Sequence, residues 1–336
     1  MATTTTSNPA SQADKIQKHF SKKLLAHAEF NLQLSQFAVE GELPKNMGAN
    51  TVRYFRRRVA KTSDIVKLSQ GIPISTFTEV NMEHVDIVLD QFGEAAKITD
   101  IVTMTDLFNM LQQNIEAMGE DCALHSDEII RNVIISDMLN SDNGHERFAG
   151  ITPTGDSSAD FASLAAATAS ASKFTRLAAL GCKTQLAHHT VRAPKISGKY
   201  VALITSINTH DLVQDDDWLE AAKYSNPKAL YKGEIGELDG VRYIEHDNPF
   251  IEDDTYGTYA AGGAITSTMF LGRGAFGCPK LAGSKSPWKP QVIVNDKADK
   301  SDPLNQFITA GWKSYWNAAV LNPKFLCVLR SKSTFA

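Results

Sequence analysis

The segment Gly272-Arg273-Gly274-Ala275-Phe276-Gly277 has the residue types and spacing of a cofactor-binding loop. It matches the GxGxxG pattern of dinucleotide-binding proteins, follows a predicted strand and precedes Asp296 by about twenty residues. Such a loop must lead directly into a helix, because the N-terminus of that helix binds the pyrophosphate. Residues 278–290 contain three prolines, and each proline inside a helix costs about 3 kcal/mol. The sequence therefore argues against a nucleotide site, and we expect no cofactor.

Metal binding is the second chemistry that the residue types would permit. His188 and His189 are adjacent, so on a strand their side chains point in different directions and could not easily share a metal. His210 and His246 lie elsewhere in the chain. The run Asp215-Asp216-Asp217 lacks the alternating spacing and the glycine of a calcium loop, and we interpret it as an exposed acidic turn. We expect no metal.

A catalytic nucleophile is the third possibility. The four cysteines lie about 50 to 100 residues apart with no CxxC pair, which is typical of buried free thiols in a reducing cytoplasm. No GxSxG motif occurs, and no recognisable motif places a histidine to activate a cysteine. We therefore predict that the chain is not an enzyme. The cysteines are Cys122, Cys182, Cys278 and Cys327.

A cluster of arginines interleaved with aromatic residues could bind anionic groups. It could hold phosphates with base stacking, or it could meet an acidic surface on a neighbouring copy. The cluster is short and lies on a predicted extended arm instead of a concave platform, which favours protein contact. The residues predicted to make inter-subunit contacts are Arg53, Tyr54, Phe55, Arg56, Arg57, Arg58, Asp215, Asp216 and Asp217.

The charge of the chain is unevenly distributed, although the net charge is only −4. Residues 1–70 hold eleven Lys and Arg against five Asp and Glu, whereas residues 205–260 hold thirteen acids against four bases. Such asymmetry suggests electrostatic contact between unlike regions, which different copies could supply. On charge alone, two solvated faces explain the distribution equally well.

The arginine cluster lies on the first strand of a predicted hairpin. Residues 51–59 and 84–92 both alternate in the manner of strands, and a polar stretch, 60–83, separates them. Together they predict a long two-stranded arm with an irregular tip. An isolated hairpin is only marginally stable in water, so we expect something outside the hairpin to cover its faces. This missing partner is the strongest physical indication of assembly in the sequence.

The rest of the chain predicts a mixture of helices and strands without βαβ alternation, and therefore an α+β fold. A capping box at Thr103 and Asp106 predicts the start of a long helix, and Gly181 the end of another. The helices are predicted over 14–36, 103–139, 158–180 and 211–224, with a connection over 41–44. Further strands are predicted over 200–207, 240–244, 264–271, 291–294, 312–316 and 325–329.

Length and composition are those of an ordinary soluble globular protein. The chain has 336 residues, of which 43% are hydrophobic and 21% charged, enough to bury a core without disulfides. The polar opening residues do not resemble a secretory signal, and no run of about 18 apolar residues could form a spanning helix. We expect a soluble protein made in the cytoplasm, without membrane contact.

Several longer phrases carry a family resemblance. They include VRAPKISGKY at 191–200, KALYKGEIGELDGVRYIEHDN at 228–248, LPKNMG at 43–48 and TVRYFRR at 51–57. Over residues 20 to 330 the chain resembles the major capsid (coat) proteins of tailed bacteriophages, most closely those of the N-four type. The resemblance implies a Hong Kong-97-type fold. That fold would place an N-terminal arm at 1–50, an extended β-hairpin loop at 51–102, a peripheral domain with a spine helix at 103–150 and 290–336, and an axial domain at 151–289.

The resemblance also implies a function and partners. Relatives assemble as pentamers and hexamers into icosahedral heads around double-stranded DNA, and their arms and loops reach across to neighbouring subunits. The chain would then be a virion component assembled in the host cytoplasm, with a portal protein, a decoration protein and weak non-specific contact with packaged DNA. Only about fifty residues precede the loop, which implies a separate scaffolding protein. The alternatives are a bacterial cargo-enclosing nanocompartment, a nucleotide-dependent enzyme and a nucleic-acid-binding protein.

Overall fold

A computed structural model describes Leu24 and residues 33–43, 50–57, 82–105, 110–139, 146–148, 173–189, 191–216, 233–246, 250–252, 265–281, 291–295 and 306–332, with single positions at 67, 70, 71, 218, 303 and 304. Four α-helices and fifteen strands lie in these ranges. The helices are α1 Asp100–Thr105, α2 Met110–Leu139, α3 Arg176–Ala187 and α4 Ser206–Val213. The strands are β1 Val39–Leu43, β2 Thr51–Arg57, β3 Met82–Val88, β4 Asp90–Thr99, β5 Glu146–Phe148, β6 Tyr200–Ile204, β7 Glu234–Leu238, β8 Val241–Glu245, β9 Phe250–Glu252, β10 Ile265–Leu271, β11 Phe276–Leu281, β12 Gln291–Asn295, β13 Phe307–Trp316, β14 Ala319–Val320 and β15 Leu326–Lys332.

Six strands form the first sheet, in which β13 lies between β4 and β12. β13 pairs antiparallel with β4 over its full length, from Phe307 opposite Thr99 to Trp316 opposite Asp90. Alternate residues of its second half are buried, as expected for a strand with one covered face. The remaining strands continue the sheet through β11, which pairs with β1 and β14.

The long helix α2 covers this sheet. Its 30 residues span about 45 Å, and its buried side chains recur every three or four residues in one continuous stripe, which is apolar except around Ser126 and Asp127. The first half of the stripe packs against Trp312 and the second half against Trp316. The buried apolar residues include Ile115, Met118, Cys122, Ile130, Ile134 and Met138.

Seven strands form the second sheet, in the order β5-β15-β10-β6-β8-β7 with β9 also beside β10. All five residues of β6 are buried, as in a strand covered on both faces. Tyr200 and Ala202 pack with α3 in one core, whereas Val201 and Leu203 pack with α2 and the first sheet in another. The second sheet therefore lies between the core that contains α3 and the core that contains α2 and the first sheet.

The mixed α and β architecture predicted from the sequence is confirmed, and so are most of its strands. The four cysteines are all buried and free, as predicted. Several strand boundaries differ; the predicted strand 200–207, for example, ends at Ile204, because Thr205 caps α4. The predicted strand 84–92 divides at Leu89, because β3 belongs to the hairpin and β4 to the first sheet. The predicted connection 41–44 begins instead as part of β1, which pairs parallel with β11 from Val39 to Leu43.

Four helix predictions need correction. The predicted helix start at Thr103 is wrong: Thr103 lies inside α1, which begins at Asp100, whose carboxylate accepts the Ile101 N–H at 2.7 Å, and Asp106 lies outside the described residues. The helix predicted over 158–180 is not helical at 174–175, and Gly181 lies inside α3, which Thr175 caps by accepting the Ala178 N–H. Residues 158–172, the first part of this predicted helix, lie outside the described residues.

The helix predicted over 211–224 begins earlier and stops sooner. Thr205 caps α4 by accepting the Asn208 N–H, so the helix starts at Ser206 and ends at Val213. The helix predicted over 14–36 is also too long at its end. Leu24 is helical, but residues 33 and 34 are not, because their N–H groups bond to the carboxylate of Asp127.

The proposed domain boundaries stay a prediction, and two strands lie across them. β11, from the predicted axial range, belongs to the first sheet with β13, and β15, from the predicted peripheral range, belongs to the second sheet with β10. None of the helices in the described ranges combines the length and apolar composition needed to cross a bilayer.

Candidate inter-subunit surface

The predicted hairpin is present. β2 and β3 pair antiparallel as a two-stranded sheet of their own, from Thr51 opposite Val88 to Arg57 opposite Met82. The Leu89 N–H closes its base with a 2.8 Å hydrogen bond to the carbonyl oxygen of Asn50. The strands thus form a unit distinct from both larger sheets.

Alternation divides the hairpin into two faces, and the inner face packs on the same chain. Val52, Tyr54 and Arg56 of β2 share this face with Val85 and Ile87 of β3. Ile87 is only 2% exposed, and the other four are half-buried. The expectation that both hairpin faces need an outside partner is therefore corrected for the described strands: their own chain covers one face.

Tyr54 packs against β1 and so holds the inner face of the hairpin on that strand. A β-carbon at Gly41 would lie 2.1 Å from the Tyr54 hydroxyl oxygen, so the ring occupies the space that only glycine leaves open. The hydroxyl donates to the Val39 carbonyl oxygen at 3.5 Å. Burial raises the pKa of Tyr54 to about 12, so the phenol stays protonated at neutral pH. Gly41 is thus required for the hairpin to rest on β1.

Both described arginine side chains of the cluster pair with acids across the hairpin. Arg53 Nε lies 2.6 Å from Asp86 Oδ1, and Arg56 Nε lies 2.6 Å from Glu83 Oε2. The hydrogen bond from Arg53 lowers the pKa of Asp86, so this pair stabilises the hairpin above the ordinary aspartate pKa and is lost as the pH falls through the lowered value. Arg56 Nη1 also donates to the Leu321 carbonyl oxygen at 2.9 Å.

The sequence contained a signal for these pairs. Arg53 and Arg56 are three residues apart on β2, and Glu83 and Asp86 are three residues apart on β3, so one antiparallel register opposes both pairs. Much of the positive charge that suggested an electrostatic docking site is therefore balanced within the hairpin itself.

The outer face of the hairpin is exposed and partly apolar. Phe55 is 68% exposed, Met82 65% and Val88 45%, and His84, opposite Phe55, is exposed as well. Phe55 and Met82 are diagonal neighbours across the two strands, and adjacent apolar side chains left open to water are typical of a contact surface. We call this set, Phe55, Met82, His84 and Val88, the outer hairpin face.

The remaining predicted contact residues are only partly described. Arg58, Asp217 and the side chain of Arg57 lie outside the described residues. Asp216 is exposed, whereas Asp215 accepts the Arg176 N–H at 3.3 Å and so also serves the local fold. A contact between the arginine cluster of one copy and the acidic turn of another stays a prediction.

The glycine motif does not form a nucleotide loop. Gly272 to Ala275 make the turn between β10 and β11, and the residues that follow form a strand instead of a helix. His188 and His189 lie at the end of α3 with ring centroids 4.1 Å apart. His210 lies 3.7 Å from Asp211 and His246 3.7 Å from Asp127. In the described ranges, no three His, Cys, Asp or Glu side chains are grouped as a metal site requires.

Sequence reasoning missed a second cationic surface. Arg192, Lys195, Arg273 and Lys324 are all exposed, and they lie on three loops that the fold brings together. No local motif could reveal it, because its members are far apart in the sequence. The glycine motif, which contains Arg273, and the phrase at 191–200, which contains Arg192 and Lys195, each marked one loop, but neither indicated that the loops meet.

Substituting Gly41 by Ala should weaken the packing of the hairpin against β1. The new β-carbon would displace the Tyr54 ring, and such overpacking typically costs about 1–3 kcal/mol. The free energy of unfolding, measured by urea denaturation, checks the cost. In a Tyr54→Leu background the same substitution should cost much less, because the clashing ring is gone. Equal costs in both backgrounds would contradict the proposed contact.

Comparisons with known proteins give a match in structure but not in sequence. No protein-family model matches the chain, and no curated protein matches it. The capsid of Ralstonia phage GP4 is similar with a TM-score of 0.61 at 12% identity, covering 90% of this chain and 92% of that chain. The capsid of cyanophage Pam1 gives 0.61 at 16% identity and 87% of each chain. The acid-stable capsid of Helicobacter pylori bacteriophage KHP30 gives 0.60 at 10% identity and 89% of each chain.

The chain has the Hong Kong-97-type capsid fold. This confirms the fold that the resemblance implied, while the narrower assignment to the N-four type stays a prediction. In this Hong Kong-97-type fold, α2 packs against the first sheet. The second sheet shares one hydrophobic core with α2 and the first sheet. The hairpin of β2 and β3 pairs with neither sheet through strand hydrogen bonds, and its outer face is uncovered in the described residues.

Proposed function

We propose that the chain is the major capsid protein of a tailed-phage head, a shell subunit without enzymatic activity. The observation that carries the proposal is the match to capsid subunits over about nine-tenths of both chains. Because the match extends over nearly the whole length of both chains, it is more than a common small motif.

The hairpin supplies a physical reason for assembly. Its inner face is fixed by Tyr54 and Arg56, so the outer hairpin face is held in a defined position. Phe55 and Met82 on that face would lose their contact with water if a second copy covered them. A contact that repeats between identical copies with a rotation that closes gives rings, and rings of subunits build closed shells.

The finer parts of the proposal concern geometry and partners. The subunits would form pentamers and hexamers of an icosahedral head, with the arm, extended loop, peripheral and axial domains at the boundaries given above. A separate scaffolding protein would guide assembly in the host cytoplasm, a portal protein would occupy one vertex, and a decoration protein could bind outside. Double-stranded DNA would fill the shell.

The full-length protein should form particles far larger than its 36.7 kDa subunit. Purified protein, concentrated with and without a crowding agent, is examined by analytical ultracentrifugation and electron microscopy. Rings of five or six subunits, or closed shells, are the expected result. A monodisperse monomer under all these conditions would contradict the proposal, and shells that enclose a protein cargo would identify the nanocompartment alternative.

A further inference from the structure

Three loops meet beside the junction of the two sheets. The Arg273 N–H donates to the Pro194 carbonyl oxygen at 2.8 Å, and the Gly272 N–H donates to the Phe325 carbonyl oxygen at 2.9 Å. A β-carbon at Gly272 would lie 3.1 Å from the β-carbon of Ala193, so the turn fits closely between its neighbours. The glycine motif therefore joins loop 191–199 to loop 321–325 through the turn 272–275.

These loops carry exposed cations and no acids. Arg192, Lys195, Arg273 and Lys324 are exposed, and the sequences 191–199, 272–275 and 321–325 contain no Asp or Glu. Within the described part of the chain, no carboxylate forms an ion pair with any of these four groups. Lys199, in contrast, pairs with Glu237. We call Arg192, Lys195, Arg273 and Lys324 the cationic loop patch.

The patch differs chemically from the outer hairpin face. No large hydrophobic side chain is exposed on the described residues of its three loops, whereas Phe55 and Met82 are exposed on the hairpin. Protein–protein interfaces generally have an apolar centre inside a polar rim. Surfaces that bind the nucleic-acid backbone are more polar and strongly positive, because Lys and Arg neutralise phosphates. The composition of the patch therefore favours a polyanion over a second protein surface.

The arginine cluster on the hairpin is the poorer candidate for phosphate binding. Arg53 and Arg56 are each within 2.6 Å of a carboxylate on the opposite strand, so a phosphate would have to compete with that acid. The four cations of the loop patch have no such competitor among the described residues. The fold thus supplies a positive surface at a place that the sequence did not indicate.

We propose that the cationic loop patch binds the phosphate backbone of double-stranded DNA, independently of base sequence. The inference rests on the proposed function, since the DNA would be the polymer enclosed by the shell. Each contact between a cation and a phosphate releases a counterion, so four contacts give a slope of log K against log salt of about −3.6. Raising salt from about 50 to about 200 mM should therefore weaken binding by about a hundredfold.

The test measures fluorescence anisotropy of a labelled 24-base-pair duplex with the full-length protein at both salt concentrations. The variant Lys195→Gln/Arg273→Gln removes two charges from the patch, and its salt slope should become shallower by about 2. The matched control, Lys97→Gln/Lys173→Gln, removes two exposed cations from outside the three loops and should keep the full slope. Thermal denaturation shows whether each variant is folded.

The outcomes separate this inference from the proposed function. A shallower slope in the patch variant alone supports DNA binding by the loops. Equal slopes in both variants, or no binding of the duplex by the unmodified protein, overturn the inference even if shells form normally. If the patch variant keeps its DNA affinity and no longer assembles, the patch is a contact between subunits, and the DNA assignment is wrong.

Discussion

Replacing residues 58–81 by Asn-Gly should leave a folded protein that forms no closed shells. The two-residue turn would join Arg57 directly to Met82, which are opposite each other in the last pair of the hairpin register. Asn-Gly favours the tight turn that such a connection needs, so β2 and β3 can stay paired. The inner-face contacts of Tyr54 and Arg56 lie on the retained strands, and so do the side chains of the outer hairpin face.

Closed shells should not form because the shortened hairpin can no longer extend to a neighbouring copy. The replacement removes 24 residues from the end of the arm, and any contact that those residues make on a neighbouring copy is lost with them. Thermal denaturation and circular dichroism check that the protein is folded, and electron microscopy checks for shells. Normal shells from the folded variant would refute the role assigned to the arm.

A length-matched variant refines the experiment. In it, residues 58–81 are kept in number and composition but permuted in order. If permuted protein still assembles while the shortened protein does not, the arm acts through its length and general polarity. If neither assembles, specific side chains of the arm tip are required.

The hairpin was predictable because its information is local. Alternation over 51–57 and 82–88 specifies two strands, and the matched spacing of Arg53 and Arg56 with Glu83 and Asp86 is consistent with one register. The division of the second strand at Leu89 was not predictable by alternation, because β3 and β4 continue almost without a break. Which sheet each part joins depends on β13, more than 200 residues away.

The parts that sequence reasoning missed depend on distant partners. Gly41 and Pro44 indicate a connection locally, but pairing with β11 makes residues 39–43 a strand, and the Tyr54 ring explains the glycine. The cationic loop patch is likewise invisible in sequence, because the loops that carry Arg192, Arg273 and Lys324 are joined by backbone hydrogen bonds between residues far apart in the chain. Gly181 was misread as a helix end because the core contacts of Ala179, Cys182 and Leu186 outweigh the weak local preference of one glycine.

Asp127 is the residue whose loss should destabilise the fold most. Its carboxylate is buried on α2 and accepts the N–H groups of Gln33 and Leu34 at 2.9 and 3.3 Å. His246, at the end of β8, lies 3.7 Å from the same carboxylate and is equally buried. One side chain thus joins the segment before β1, the long helix and the second sheet.

Substituting Asp127 by Ala should lower the free energy of unfolding by about 3–5 kcal/mol. The substitution leaves the buried N–H groups of Gln33 and Leu34 without their acceptor, and it removes the charge that faces His246. Asp127→Asn is the matched control, because the amide keeps an oxygen of similar size that can accept one of the two hydrogen bonds. Urea denaturation should rank the Asn variant between the unmodified protein and the Ala variant. A loss below about 1 kcal/mol for Asp127→Ala would mean that water satisfies these groups and that the junction is open, contrary to its burial.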